Sequence, residues 1–76
     1  MSFIANLIEK MAKTLGADVK ATDIGPEFVV AYHDGRRLDV TDENVFRLEG
    51  DSRVRYWWSI AEFPGHVNWL VTGEWE

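Results

Sequence analysis

The dipeptide Asp34-Gly35 constrains this chain more than any other feature. It separates two β-prone segments, residues 27–33 and 36–40. Asp-Gly tolerates positive φ at both central positions, which a two-residue type I′ hairpin turn requires. The turn also fixes the register, setting His33 opposite Arg36, Ala31 opposite Leu38 and Val29 opposite Val40. One face of the hairpin, Val29, Ala31, Leu38 and Val40, is apolar and should meet the core. The other mixes Phe28, Val30 and Tyr32 with Arg37 and Asp39.

Upstream, Ile4, Leu7, Ile8, Met11 and Leu15 recur at helical spacing, which predicts an amphipathic helix over residues 2–15. Ser2 suits its N-cap and Gly16 its C-terminal glycine. Glu9 and Lys13 are spaced to pair, and Asn6, Lys10, Lys13 and Thr14 should face water. Residues 18–24 suggest an edge strand, and Gly25-Pro26 breaks the chain after it. Residues 41–50 alternate as a strand does, although Thr41-Asp42-Glu43 would also cap a short helix; the strand is favoured. Residues 53–62 and 67–75 flank Phe63-Pro64-Gly65-His66, which reads as the Pro-Gly turn of a second hairpin. Its register sets Ile60 against Trp69, Trp58 against Val71 and Tyr56 against Gly73. The helix stripe should then cover Val54, Tyr56, Trp58, Ile60, Val67, Trp69, Val71 and Trp75. Trp57 and Leu70 would lie near one another on the outer face. The fold class is α+β, an N-terminal amphipathic helix packed on a four- or five-stranded antiparallel meander, with residues 1–76 as a single domain.

The 76 residues contain no cysteine, so stability must come from aromatic packing or self-association. Four Trp, four Phe and two Tyr supply the first. Absence of cysteine, of a basic leader and of a long apolar run fits a cytoplasmic protein with no membrane contact. Thirteen acids against eight bases give a net charge of −5, which disfavours direct nucleic-acid binding and attracts a partner with a basic surface.

No catalytic, metal or cofactor residues are expected. His33 and His66 fall at or in turns, with no second ligand close in sequence. The acids of residues 39–44 resemble a calcium loop, but Asn44 stands where glycine is needed and Gly50 where the bidentate acid is needed. The three serines form no readable triad, and no phosphate-cradling glycine motif is present. Arg53, Arg55, Tyr56, Trp57 and Trp58 interleave bases with aromatics as single-strand binders do, but alternation turns Tyr56 and Trp58 inward. Arg36, Arg37 and Arg47 would extend that patch, and Glu74 would join it.

One helix cannot cover both faces of such a sheet. The exposed apolar content, ringed by charge, predicts a partner-binding surface of Trp57, Leu70, Arg55, Phe28, Tyr32, Asp39, Asp42 and Glu43. The profile (small, acidic, cysteine-free, aromatic-rich) resembles phage-encoded proteins that inhibit a host complex by binding it, anti-CRISPR proteins among them. The likeness is one of size and composition. It implies an inhibitor or adaptor that docks on a larger host complex, itself able to bind nucleic acid. The alternatives are a homo-oligomeric accessory subunit, formed as a homodimer through the same face, and a single-strand nucleic-acid-binding module.

Overall fold

The computed structural model describes residues 3–25 and 28–74. The expected roles of Ser2, Pro26, Glu27 and Trp75 lie outside the described residues. The element order is α1 (Phe3–Thr14), β1 (Ala21–Asp23), β2 (Val29–His33), β3 (Arg36–Val40), β4 (Asn44–Glu49), β5 (Ser52–Trp57) and α2 (Phe63–Thr72). The five strands form one antiparallel meander in sequence order, and both helices pack on the same face of it. The α+β class, the N-terminal helix and the meander are as the sequence predicts.

The first hairpin has the expected register, Val29 with Val40, Ala31 with Leu38 and His33 with Arg36. Asp34 and Gly35 both have positive φ, 48° and 81°, as the type I′ turn demands. Residues 41–50 resolve as a strand. The hydroxyl of Thr41 accepts from the Asn44 N–H at 3.0 Å, which turns the chain between β3 and β4 and does not start a helix. β4 then pairs with β5, with Phe46 opposite Arg55 and Leu48 opposite Arg53.

α1 ends in a Schellman arrangement, with Gly16 N–H donating to the Lys13 carbonyl and Ala17 N–H to that of Ala12, both at 2.9 Å. Its buried residues are Ala5, Ile8 and Ala12, and Leu15 is exposed. The contact line is therefore rotated from the expected stripe towards the alanines. Small side chains let the helix lie close to β1 and β2, while Ile4, Leu7 and Met11 flank the contact half-buried. The Glu9 carboxylate accepts from the Ala21 N–H at 2.9 Å, so it tends the edge of β1.

The second hairpin does not form. Residues 63–72 are helix α2, with Pro64 in its first turn, where no intrahelical N–H is needed. Phe63, His66, Val67 and Leu70 recur at helical spacing and are all buried. Trp58 and Phe63 stack with centroids 5.4 Å apart. The pairings of Ile60, Trp58 and Tyr56 with Trp69, Val71 and Gly73 are accordingly absent. Val54 is half exposed, β5 has no partner strand on its outer side among the described residues, and α2 covers β2, β3 and β4.

Gly73 closes α2 in the left-handed region, φ 80°, its N–H donating to the Trp69 carbonyl at 2.7 Å. Arg36 reaches the same end, its Nε donating to the Leu70 carbonyl at 3.0 Å and Nη2 to that of Val71 at 3.1 Å. A guanidinium there satisfies the last carbonyls and complements the helix dipole. A Cβ on Gly73 would lie 2.9 Å from Arg36 Nη1, whereas one on Gly16, at a similar φ of 84°, would meet nothing within 4 Å. Gly73→Ala is expected to destabilise by about 1–3 kcal/mol, and by more than Gly16→Ala. Equal losses of the two variants in urea denaturation would show that Arg36 gives way without cost.

Candidate functional site

The helix-free face of the sheet holds the candidate site, and pairing register fixes its layout. Alternation sends Tyr32, Arg37, Leu48 and Arg53 to this face in one row across β2 to β5. The next row is Thr22, Val30, Asp39, Phe46 and Arg55, and Asn44 with Trp57 ends the surface. Trp57 is 77% exposed and Tyr32 61%. Phe46 and Leu48 lie half-buried between them.

Two local arrangements stiffen this face. Arg37 grips Asp39 through two parallel bonds, Nε to Oδ1 at 2.6 Å and Nη2 to Oδ2 at 3.0 Å. Its Nη1 donates to the Tyr32 hydroxyl at 3.1 Å. The Asp39 carboxylate raises the pKa of Arg37, the hydrogen bond acting more strongly than the charge alone. Arg53 lies over the Phe46 ring, 4.3 Å from its centroid, a cation–π contact.

Of the expected site residues, Trp57, Arg55, Tyr32 and Asp39 share this face. Asp39 is buried at 4% exposure and held by Arg37, so it offers little charge to a partner. Asp42 and Glu43 are exposed on the β3–β4 turn, at the end where Trp57 stands. Phe28 is half-buried beside β2, its carbonyl accepting from the Ile24 N–H. Leu70 is a correction. It is fully buried on α2, on the opposite side of the sheet from Trp57, because residues 63–72 coil and do not pair with β5. Arg36 and Arg47 are also buried on the helix-covered side and do not extend the patch. Glu74 follows α2 and does not join it. Their parity carried the signal, since Arg36 alternates in step with Leu38, and Arg47 with Val45. The half-buried pair Phe46 and Leu48 was not among the expected contacts, though the same alternation places both on the open face.

Behind the sheet, Arg47 Nε donates to His66 Nδ1 at 3.1 Å. The guanidinium lies over Tyr56 and Trp69, 4.7 and 5.3 Å from the ring centroids. Tyr56 meets His66 edge-on at 5.0 Å. Burial, with Arg47 adding to it, pushes the His66 pKa down to about 4. His66, Arg47 and Trp69 are all buried, so the polar contacts of this cluster lie inside the protein. An open groove of about 430 Å³ runs between Phe3, Ile4, Val29, Val40 and Trp58, with Thr41 and Asp42 at its rim. Among the described residues no three His, Asp or Glu side chains converge on a metal position. No described helix is long and apolar enough to cross a membrane.

No family model, curated protein or solved structure matches this chain. Its functional reading therefore rests on the chemistry of the open face.

Proposed function

We propose that this chain is a non-enzymatic binding module, an inhibitor or adaptor acting in the cytoplasm. It docks on a larger protein through the open sheet face, in the manner of small phage-encoded inhibitors. The observation that supports this is Trp57, 77% exposed on the sheet face opposite α1 and α2. Arg55 and Arg53 follow it along β5, and Tyr32 with Arg37 stands at the far corner of the same face. Trp, Tyr and Arg are the residues that dominate interface energetics, and the half-buried Phe46 and Leu48 give the patch an apolar centre.

Charge refines the partner. Within a chain of net −5, the open face carries Arg37, Arg53 and Arg55 against Asp39 alone. The exposed acids Asp42, Glu43, Glu49 and Asp51 lie at the two ends of the sheet. A basic partner surface would meet those ends, and the face itself suits an acidic patch.

Trp57→Ala should weaken partner binding by about 2 kcal/mol or more, some thirtyfold, while leaving stability nearly unchanged. Affinity capture with wild type and variant side by side checks this. A partner retained by a folded Trp57→Ala protein would rule the face out. The grouping of Arg53 and Arg55 with Trp57 also favours a second reading, single-strand nucleic-acid binding. That reading requires oligo-dT affinity that falls steeply with salt. Self-association through the face would appear as concentration-dependent light scattering.

A further inference from the structure

The two edges of the sheet are treated differently. β1 is only three residues long, and the Glu9 carboxylate of α1 already occupies the Ala21 N–H. β5 is six residues long, contains no proline, and among the described residues pairs with no strand on its outer side. Open strand edges are templates for pairing, and proteins ordinarily blunt them. Here one edge is blunted and the other is left available.

The phase of that edge follows from one bond. Trp58 N–H donates to the Glu43 carbonyl at 2.9 Å, which makes Glu43 and Trp58 a hydrogen-bonded pair one step beyond Asn44–Trp57. Hydrogen-bonded and non-hydrogen-bonded pairs alternate along an antiparallel ladder. The backbone N–H and C=O groups of Trp57, Arg55 and Arg53 therefore point away from β4, towards the unpaired side. The side chains of the same three residues stand on the open face.

We propose that β5 is a strand-addition site, and that its occupant is an extended acidic segment of a partner protein. Backbone groups of Arg53, Arg55 and Trp57 would complete the ladder, as in other β-augmentation complexes. Acidic side chains at alternate positions of the incoming strand would face Arg53 and Arg55 directly across the new pair. A second copy of this chain fits less well. The two registers that overlap β5 with itself most fully, centred on Val54 and on Arg55, set arginine against arginine. The proposal rests on the open face being a docking surface, and it adds the partner's conformation and charge.

The test uses the isotopically labelled full chain and short synthetic peptides that alternate Glu with Val or Thr, beside a matched set with Lys for Glu. Acidic peptides are expected to bind and to slow amide exchange at Arg53, Arg55 and Trp57 by roughly tenfold or more, leaving Val54 and Tyr56 as they were. Arg55→Pro removes an outward N–H without touching the ladder to β4, and should abolish that protection, whereas Arg55→Ala should keep it. The double variant Arg53→Glu, Arg55→Glu leaves the backbone groups in place and should exchange preference from the acidic set to the lysine set. No binding of the acidic set at millimolar concentration, or protection elsewhere than the β5 edge, would overturn the proposal. So would oligo-dT displacing the peptides at physiological salt, or a dimer that buries the same amides. If Trp57→Ala loses a captured protein partner while Arg55→Pro retains it, the docking face stands and strand addition falls.

Discussion

Phe63→Ala should cost about 3–5 kcal/mol of unfolding free energy, the usual range for deleting a buried aromatic ring. Phe63 is fully buried, opens α2 and stacks on Trp58. Its loss removes both the hydrophobic anchor of the helix start and the contact that ties the β5–α2 connection to the core. On the scale of about 0.05–0.15 kcal/mol per residue, a domain of this size has a total stability of about 4–11 kcal/mol. The variant should therefore lose a large share of its stability and unfold at a much lower urea concentration, while Phe63→Leu, which keeps most of the volume, should stay close to wild type. Urea denaturation followed by tryptophan fluorescence measures both. A loss under about 1 kcal/mol for Phe63→Ala would mean that the ring is solvent-exposed, as a Pro-Gly turn would leave it, and would refute the helix.

The second large effect is on pH dependence. His66 accepts a hydrogen bond at Nδ1 from buried Arg47, so the folded protein needs that nitrogen unprotonated. Its pKa falls to about 4 in the fold, through burial first and the guanidinium second. In the unfolded chain an imidazole titrates near 6.5. Above that value neither state holds the proton, and the contribution of His66 to stability is complete. As pH falls from about 6.5 to 4 the unfolded chain gains a proton that the folded chain refuses, and about 3 kcal/mol is lost. Below about 4 the folded state also protonates and this group causes no further loss. His66→Asn offers a carbonyl to Arg47 and does not titrate. It should lower stability at pH 7.5 yet flatten the decline between pH 6.5 and 4.5 relative to wild type. Identical slopes for the two proteins would show that His66 is not the titrating group.

The parts of the fold legible in the sequence are those where local chemistry decides. Asp34-Gly35 specifies one turn geometry, and everything from Val29 to Val40 follows from it by parity. Alternation of Val45, Arg47 and Glu49 with Phe46 and Leu48 carried β4. The helix at Phe63–Thr72 was hidden because its composition argues for a strand. Val67, Trp69, Val71 and Thr72 are β-branched or aromatic, and Pro64-Gly65 is a turn dipeptide. Helical periodicity emerges only if Phe63 and His66 are counted with Val67 and Leu70, and a reading that assigns the first two to a turn cannot see it. Tertiary burial of that stripe against the sheet outweighs the propensities.

The same misreading displaced one site residue and concealed an edge. With a hairpin at residues 53–75, Leu70 belongs beside Trp57 and β5 lies inside the sheet. With α2, Leu70 enters the core and β5 becomes the border. Trp57, Arg55 and Tyr32 kept their places because they depend only on strand parity within β2 and β5. Whether a charged residue is buried is harder to read. Arg36 and Arg47 sit among apolar positions because helix carbonyls and aromatic rings receive them, and those partners are far away in sequence.

The clamp of Arg36 on α2 also bears on how the molecule comes and goes in time. Each strand pairs with its sequence neighbours, so the sheet can grow through short loop closures. The helix must instead return across 34 residues for Leu70 to meet Arg36. Contacts of that separation wait for the larger loop to close and so form after the local ones. Bonds made only after the transition state leave the folding rate nearly untouched and govern the rate of unfolding. On that account the guanidinium at the end of α2 sets the lifetime of the native state more than the speed of reaching it.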